Sequence, residues 1–165
     1  MSVPASERAP PGSVLFVCLG NICRSPVAAA VMRARLAEAG MLGQVLIDSA
    51  ATHAYQIDSP AHPETRRLAE SRGYMLDEHR ARLVVPGDFK RFELILAMDR
   101  RNLAALRALA PSTAAASLGL LMDFAPFLRV EEVPDPYGGP PEGFARSIDL
   151  IEAGVNGLLR RCYRI

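Results

Sequence analysis

The sequence predicts an α/β fold, a parallel sheet with helices on both faces, and two observations carry that prediction. Short, uniformly apolar runs of the kind found in strands buried on both sides alternate with longer stretches of helical periodicity. Three residues able to do chemistry, Cys18, Ser49 and Asp99, each fall where such a run ends. In folds that wind a parallel sheet, ligands bind beyond the carboxyl ends of the strands.

Taken in order, residues 14–17 form the first strand, and an alanine-rich helix covers about 26–39. Val27, Val31 and Ala34 lie on one stripe of that helix, and Gly40 is placed to stop it. Residues 45–47 form a second strand that runs out in Asp48-Ser49-Ala50, followed by a polar, irregular stretch over 52–62. A helix over 63–72 opens on a proline and closes at Gly73. Residues 94–98 are the next strand, Asp99 caps a helix running to about 110, and a weaker strand lies at 117–121. The proline- and glycine-rich segment 133–141 is loop. In the last helix Phe144, Ile148, Ile151, Val155, Leu158 and Cys162 are spaced for one apolar face. No repeat or linker divides the chain, so residues 13–165 read as one domain behind a loose tail, residues 1–12.

Composition excludes several classes of function. A chain of 165 residues can bury a core of its own, and a formal charge of +1 gives no basic field for nucleic acid. Half the residues are hydrophobic, yet no apolar run is long enough to span a bilayer, and residues 1–12 carry no apolar segment of the signal-peptide kind. Three cysteines without a paired pattern suit a reducing compartment, so the cytoplasm is expected. His53 and His62 show no metal spacing and read as surface residues, and no metal or other cofactor is expected.

The chemistry concentrates between the first strand and the first helix, in Cys18-Leu19-Gly20-Asn21-Ile22-Cys23-Arg24-Ser25-Pro26. So short a link must curl tightly, which Gly20 permits and Asn21 tolerates, since asparagine visits positive φ more readily than most residues. Its N–H groups, added to the positive end of the helix dipole, form a site for a dianion. Arg24 adds a planar fork able to hold two phosphate oxygens. The same field favours Cys18 as a thiolate, and a nucleophilic sulfur inside a phosphate cradle can attack phosphorus. Ser25 can donate its hydroxyl to that sulfur or cap the helix with Pro26 at its first position. Attack on a phosphate ester also needs a proton donor for the departing oxygen. Asp135, held between Pro134 and Pro136, can aim a carboxyl group at a fixed point.

This nine-residue string resembles the phosphate-binding loop of the low-molecular-weight protein tyrosine phosphatases, and Asp135-Pro136-Tyr137 resembles their general-acid segment. The resemblance implies a three-layer, four-stranded parallel sheet and hydrolysis of phosphotyrosine monoesters through a cysteinyl-phosphate intermediate. Cys18 would be the nucleophile, Asp135 the acid and then the base, and Arg24 with the N–H groups of residues 19–25 the phosphate holder. Tyr137 and Tyr55 would wall the substrate ring, while Asn21, Ser49 and His79 would lock the loop from behind, with Asp99 nearby. Gly138 departs from many members, which carry a second tyrosine there, and opens one side of the slot. Cys23, close to Cys18, is the candidate for a reversible protective disulfide, and Cys162 is expected in the core. The implied partner is a tyrosine-phosphorylated protein, with a bacterial tyrosine kinase as one candidate, and the chain is expected as a monomer or weak dimer. Arsenate reductases of this fold need further relay cysteines, and none stands between Cys23 and Cys162. Protein-arginine phosphatases carry threonine where this chain has Ile22. A silent phosphate-binding module would need neither Cys18 nor Asp135.

Overall fold

The structure, a computed structural model, describes residues 9–165. Strands β1 (Ser13–Cys18), β2 (Leu46–Ala51), β3 (Leu94–Ala97) and β4 (Ser117–Leu120) form one sheet in the order β2-β1-β3-β4. Every pairing is parallel, with Phe16 opposite Ser49 on one side and Leu96 on the other. The helices are α1 (Ser25–Glu38), α2 (Pro63–Ser71), α3 (Asp88–Arg91), α4 (Arg100–Leu109) and α5 (Pro141–Leu158). The expected tail lies, for residues 1–8, outside the described residues; Pro11 accepts a 2.6 Å hydrogen bond from the Tyr163 hydroxyl.

β1 is buried along its whole length, and its side chains alternate between two cores. Val14, Phe16 and Cys18 face the core shared with α1 and α5, whereas Leu15 and Val17 face the one built with Phe89, Phe92 and Leu106. Cys18 therefore ends the central strand on the α1 side, because the pleat alternates with period two. The chain leaves β1 first toward β2 and later returns on the other flank to β3. The carboxyl ends of β1 and β3 thus border the crevice where strand order reverses.

The periodicity located the main elements, with differences at their ends. Gly40 and Gly73 take left-handed φ values of 70° and 89° just after α1 and α2, the conformation a helix stop requires. α3 and the 3₁₀ turns Leu42–Gln44, Leu121–Phe124 and Pro126–Leu128 were not expected, being too short for a period to show. α5 gives way to a π turn at Leu159–Tyr163, so Cys162 falls beyond the regular helix and is half-buried at the edge of the core. Ser25 opens α1 as its first helical residue and does not cap it; the cap position is Arg24, without a side-chain cap bond.

α5 packs on the Leu121–Phe124 turn through two glycines. A Cβ on Gly157 would stand 1.8 Å from the Phe124 carbonyl oxygen, and one on Gly154 would stand 2.7 Å from Leu121 Cγ. Gly143, in the first turn of the same helix, has nothing within 4 Å of its Cβ position. Gly157→Ala should therefore cost about 3 kcal/mol or more in urea unfolding, because backbone must retreat. Gly143→Ala should gain up to about 1 kcal/mol from helix propensity alone.

Candidate active site

Residues 19–24 join β1 to α1 without regular structure, and the carbonyls of residues 18, 19, 21 and 22 are held from outside. The Cys18 and Leu19 carbonyls accept from the N–H groups of Thr52 and His53 at 3.0 and 3.1 Å, directly after β2. The Ile22 carbonyl accepts from the His62 N–H at 2.9 Å, and the Asn21 carbonyl from His79 Nε2 at 2.7 Å. With the acceptors pinned outward, the N–H groups are left for the concave side, at the amino end of the 14-residue helix α1.

The tight curl is carried by Asn21, at φ 58°, while Gly20 is not in the left-handed region. Asn21 is fully buried and every polar atom of its side chain is used. Its Nδ2 donates to the Ser25 and Ser49 hydroxyls at 2.8 and 2.9 Å, and its Oδ1 accepts from the Arg82 N–H at 3.1 Å. A strained conformation persists only where its surroundings over-determine it, and here three elements do so. Arg82 is itself fixed by both oxygens of the buried Asp88, at 3.0 and 3.1 Å, and by Asp48 at 3.1 Å.

Cys18 Sγ lies 3.0 Å from Ser25 Oγ and 3.5 Å from the Ser25 N–H. Ser25 Oγ accepts from Asn21, and its hydroxyl hydrogen can point at the sulfur or at the Ala50 carbonyl, 3.5 Å away.

Arg24 is 1% exposed, and one edge of its guanidinium is fully engaged. Nη1 donates to Asp99 Oδ2 at 2.7 Å and to the Val133 carbonyl at 2.9 Å. The other edge is open: Nη2 lies 3.7 Å from Asp135 Oδ2, and the buried Nε has no hydrogen-bond partner among the described residues. Burial disfavours the charged guanidinium, but the Cys18 sulfur, the Asp99 hydrogen bond and the Asp135 charge outweigh it and raise the Arg24 pKa. Asp99 does two jobs, since its other oxygen caps α4 by accepting from the Asn102 N–H at 2.8 Å.

A cavity of about 290 Å³ opens over the loop. Cys18 and Arg24 line it together with Leu19, Gly20, Ile22 and Cys23, and Tyr55, Gln56, Asp135 and Tyr137 surround its mouth. The two tyrosines are 69% and 59% exposed, as the rims of an open slot are. Asp135 Oδ1 accepts from the Tyr137 N–H at 3.1 Å, which ties the carboxylate to the ring beside it. Gly138, at φ 78°, has nothing within 4 Å of its Cβ position, so backbone conformation and not crowding suits glycine here.

The structure brings Cys18, Arg24, Asp135, Tyr55 and Tyr137 to one cavity and sets Ser25, Asn21, Ser49, His79 and Asp99 behind it. Cys23 is buried against Ile22, Ala81 and Phe144, and burial first of all pushes its thiol up to about 12, with the Thr65 hydrogen bond opposing. Sequence reasoning missed Gln56, Thr65 and Val133, whose parts depend on contacts across the fold. It also placed His62 on the surface. That residue is half-buried, accepts the Glu64 N–H at 3.2 Å as the α2 cap, and meets the rings of Tyr137 and Phe144. A histidine before a proline can open a helix, but capping preferences favour Ser, Thr, Asp and Asn. His53 is exposed and stacks on Tyr55 with centroids 5.5 Å apart.

A thiol at the floor of an N–H-lined cradle, with an arginine edge open and a carboxyl group at the mouth, suits attack by sulfur on a bound phosphate ester. Known proteins are similar to this chain in sequence and fold. The family described as low molecular weight phosphotyrosine protein phosphatase matches residues 13–164. A low molecular weight protein-tyrosine-phosphatase from Streptomyces coelicolor is 43% identical over 149 residues, covering 88% of this chain and 90% of that one. A protein tyrosine phosphatase from Entamoeba histolytica, solved with Hepes in its active site, superposes with a TM-score of 0.87 at 38% identity, covering 92% of this chain and 97% of that one. YfkJ from Bacillus subtilis gives a TM-score of 0.87 at 36% identity, covering 95% and 98%. The chain belongs to the low molecular weight phosphotyrosine protein phosphatase family.

Burial lowers the pKa of His79 below the usual imidazole value, against the raising effect of its bond to the Asn21 carbonyl. The unfolded chain therefore takes up this proton first. The stability due to neutral His79 is fully present above about pH 6.5 and is lost as pH falls from there toward the lower folded value. His79→Gln, which keeps a donor for the Asn21 carbonyl, should flatten the fall in Tm between about pH 7 and 5, as followed by circular dichroism.

Proposed function

We propose that the chain hydrolyses phosphotyrosine monoesters on proteins by a two-step transfer through Cys18. The observation that carries this reading is the buried Arg24 edge with an Nε unpartnered among the described residues, beside a loop in which the carbonyls of residues 18, 19, 21 and 22 are held from outside. A buried donor left unpaired costs about 1–3 kcal/mol, and a phosphate bound to Nε and Nη2 removes that cost. With phosphorus held over the sulfur, the Cys18 thiolate forms the S–P bond while the P–O bond to the phenol breaks. Asp135 gives its proton to the leaving oxygen. Water then attacks phosphorus, Asp135 takes the water's proton, and phosphate leaves as the S–P bond breaks. Arg24 and the loop N–H groups neutralise the equatorial oxygens in both steps. Two aromatic rims suit a phenyl ring, and a shorter phosphoserine would leave its phosphate short of the sulfur. The physiological substrate would be a tyrosine-phosphorylated protein, with a bacterial tyrosine kinase as the first to test, in a reducing compartment that keeps all three free cysteines reduced.

Cys18→Ser should fold, bind phosphate and lose essentially all turnover of p-nitrophenyl phosphate; retained turnover would sink the mechanism. The same variant should trap phosphotyrosine proteins in pull-downs. Phosphoarginine and arsenate, offered alongside, should not be turned over comparably. Asp135→Ala should slow phenyl phosphate hydrolysis by about 10²–10⁴-fold. It should slow p-nitrophenyl phosphate less, because that leaving group needs less proton assistance.

Cys23 is proposed to protect Cys18. Peroxide oxidises the Cys18 thiolate to a sulfenic acid, and Cys23 sulfur then attacks it, forming the disulfide and releasing water. Since burial holds Cys23 as a thiol, capture should quicken as pH rises from 7 to 9. After peroxide, dithiothreitol should restore wild-type activity and should fail to restore Cys23→Ser, with mass spectrometry reading the Cys18–Cys23 link.

A further inference from the structure

We infer that His62 is a positioning residue, which registers the acid loop to the phosphate loop and so sets the aim of Asp135; this rests on the phosphatase reading above. The acid loop reaches the body at Val133, whose N–H donates to the Met98 carbonyl at 2.9 Å and whose carbonyl accepts from Arg24. From Asp135 to Gly139 the hydrogen bonds among the described residues are internal, Tyr137 N–H to Asp135 Oδ1 at 3.1 Å and Gly139 N–H to the Pro136 carbonyl at 2.9 Å, and Arg24 Nη2 stands 3.7 Å from Asp135 Oδ2. What meets the Tyr137 ring is the His62 ring, edge-on with centroids 5.8 Å apart and planes at 82°.

His62 is in turn fixed at three points. Its N–H bonds the Ile22 carbonyl of the phosphate loop at 2.9 Å, its ring nitrogen Nδ1 accepts the Glu64 N–H at 3.2 Å, and its ring lies 4.8 Å from that of Phe144 on α5. The chain of contacts runs from the phosphate-loop backbone through the His62 ring to Tyr137, and through the Tyr137 N–H to the carboxylate. An edge-to-face pair of this geometry is a directional contact, so it fixes an angle as well as adding contact area. Tyr137 is 59% exposed and has no other ring partner among the described residues, so the angle depends on this one neighbour. The acid and the substrate wall would then move together if the ring were lost.

Two variants separate this role from simple helix capping. His62→Asn keeps an acceptor for the Glu64 N–H and removes the ring; His62→Phe keeps a ring and removes the acceptor. His62→Asn should hold its Tm, raise KM for phenyl phosphate about 2- to 10-fold, and lower kcat more on phenyl than on p-nitrophenyl phosphate. His62→Phe should lose about 2–6 °C in Tm and keep both the KM and the leaving-group dependence of wild type. A Phe variant as impaired as the Asn variant, or an Asn variant with unchanged leaving-group dependence, would overturn the proposal. In protein labelled with 3-fluorotyrosine, the Tyr137 resonance, assigned by its loss in Tyr137→Phe, should shift in His62→Asn and little in His62→Phe. That reading needs no turnover: inactive wild type would refute the phosphatase mechanism, and an unmoved resonance would refute the bracing by His62.

Discussion

Six residues of backbone, 19–24, must present their N–H groups inward, and a chain does not do this unaided. Each peptide carries an acceptor opposite its donor, so turning the donors toward a cavity requires partners for the carbonyls on the other side. Thr52 and His53 supply two from the end of β2, His62 supplies one from the entry to α2, and the His79 ring supplies a fourth. The arrangement of segments around the sheet is in this sense an arrangement of donors around one loop. The left-handed Asn21 makes the turn possible and is held by the same surroundings.

Arg24 extends the constraint to the other flank. Its inner edge joins the loop to Asp99 after β3 and to Val133 at the root of the acid loop, so one side chain spans three connections at the strand ends. A buried guanidinium is costly unless paired, and the pairing with Asp99 leaves the outer edge facing the cavity, with Nη2 3.7 Å from Asp135 and Nε without a hydrogen bond among the described residues. In a cavity walled by protein, that charge acts on a bound dianion with less screening than at an open surface. Asp99 can serve because it also caps α4, which holds its carboxylate in place.

Much of this was legible in the linear chain. The strand and helix periods located the four strands and the main helices, since burial on both faces makes residues 14–17 of β1 uniformly apolar, and Gly40 and Gly73 marked stops that only φ > 0 explains. The string from Cys18 to Pro26 and the Asp135-Pro136-Tyr137 segment disclosed the chemistry, because a thiol, an arginine and a proline-locked carboxyl group have few other common uses. The bond Ser25 makes was less legible. Ser25 lies one residue past the cap position, so its hydroxyl meets the Cys18 sulfur and the Asn21 amide and caps nothing.

What the sequence determined by itself was therefore local: residue type, period, and the stiffness or freedom of particular peptides. Tertiary structure decided which segments meet, because hydrogen bonds and ring contacts between positions far apart in sequence leave no periodic trace. His62 looked like a surface histidine until α2, α5 and the acid loop closed around it. Arg82, more than sixty residues from Asn21, gave no sign that its N–H would hold that side chain. The order β2-β1-β3-β4 belongs to the same class of decision, since parallel strands need long crossovers and only packing fixes the flank to which each one returns.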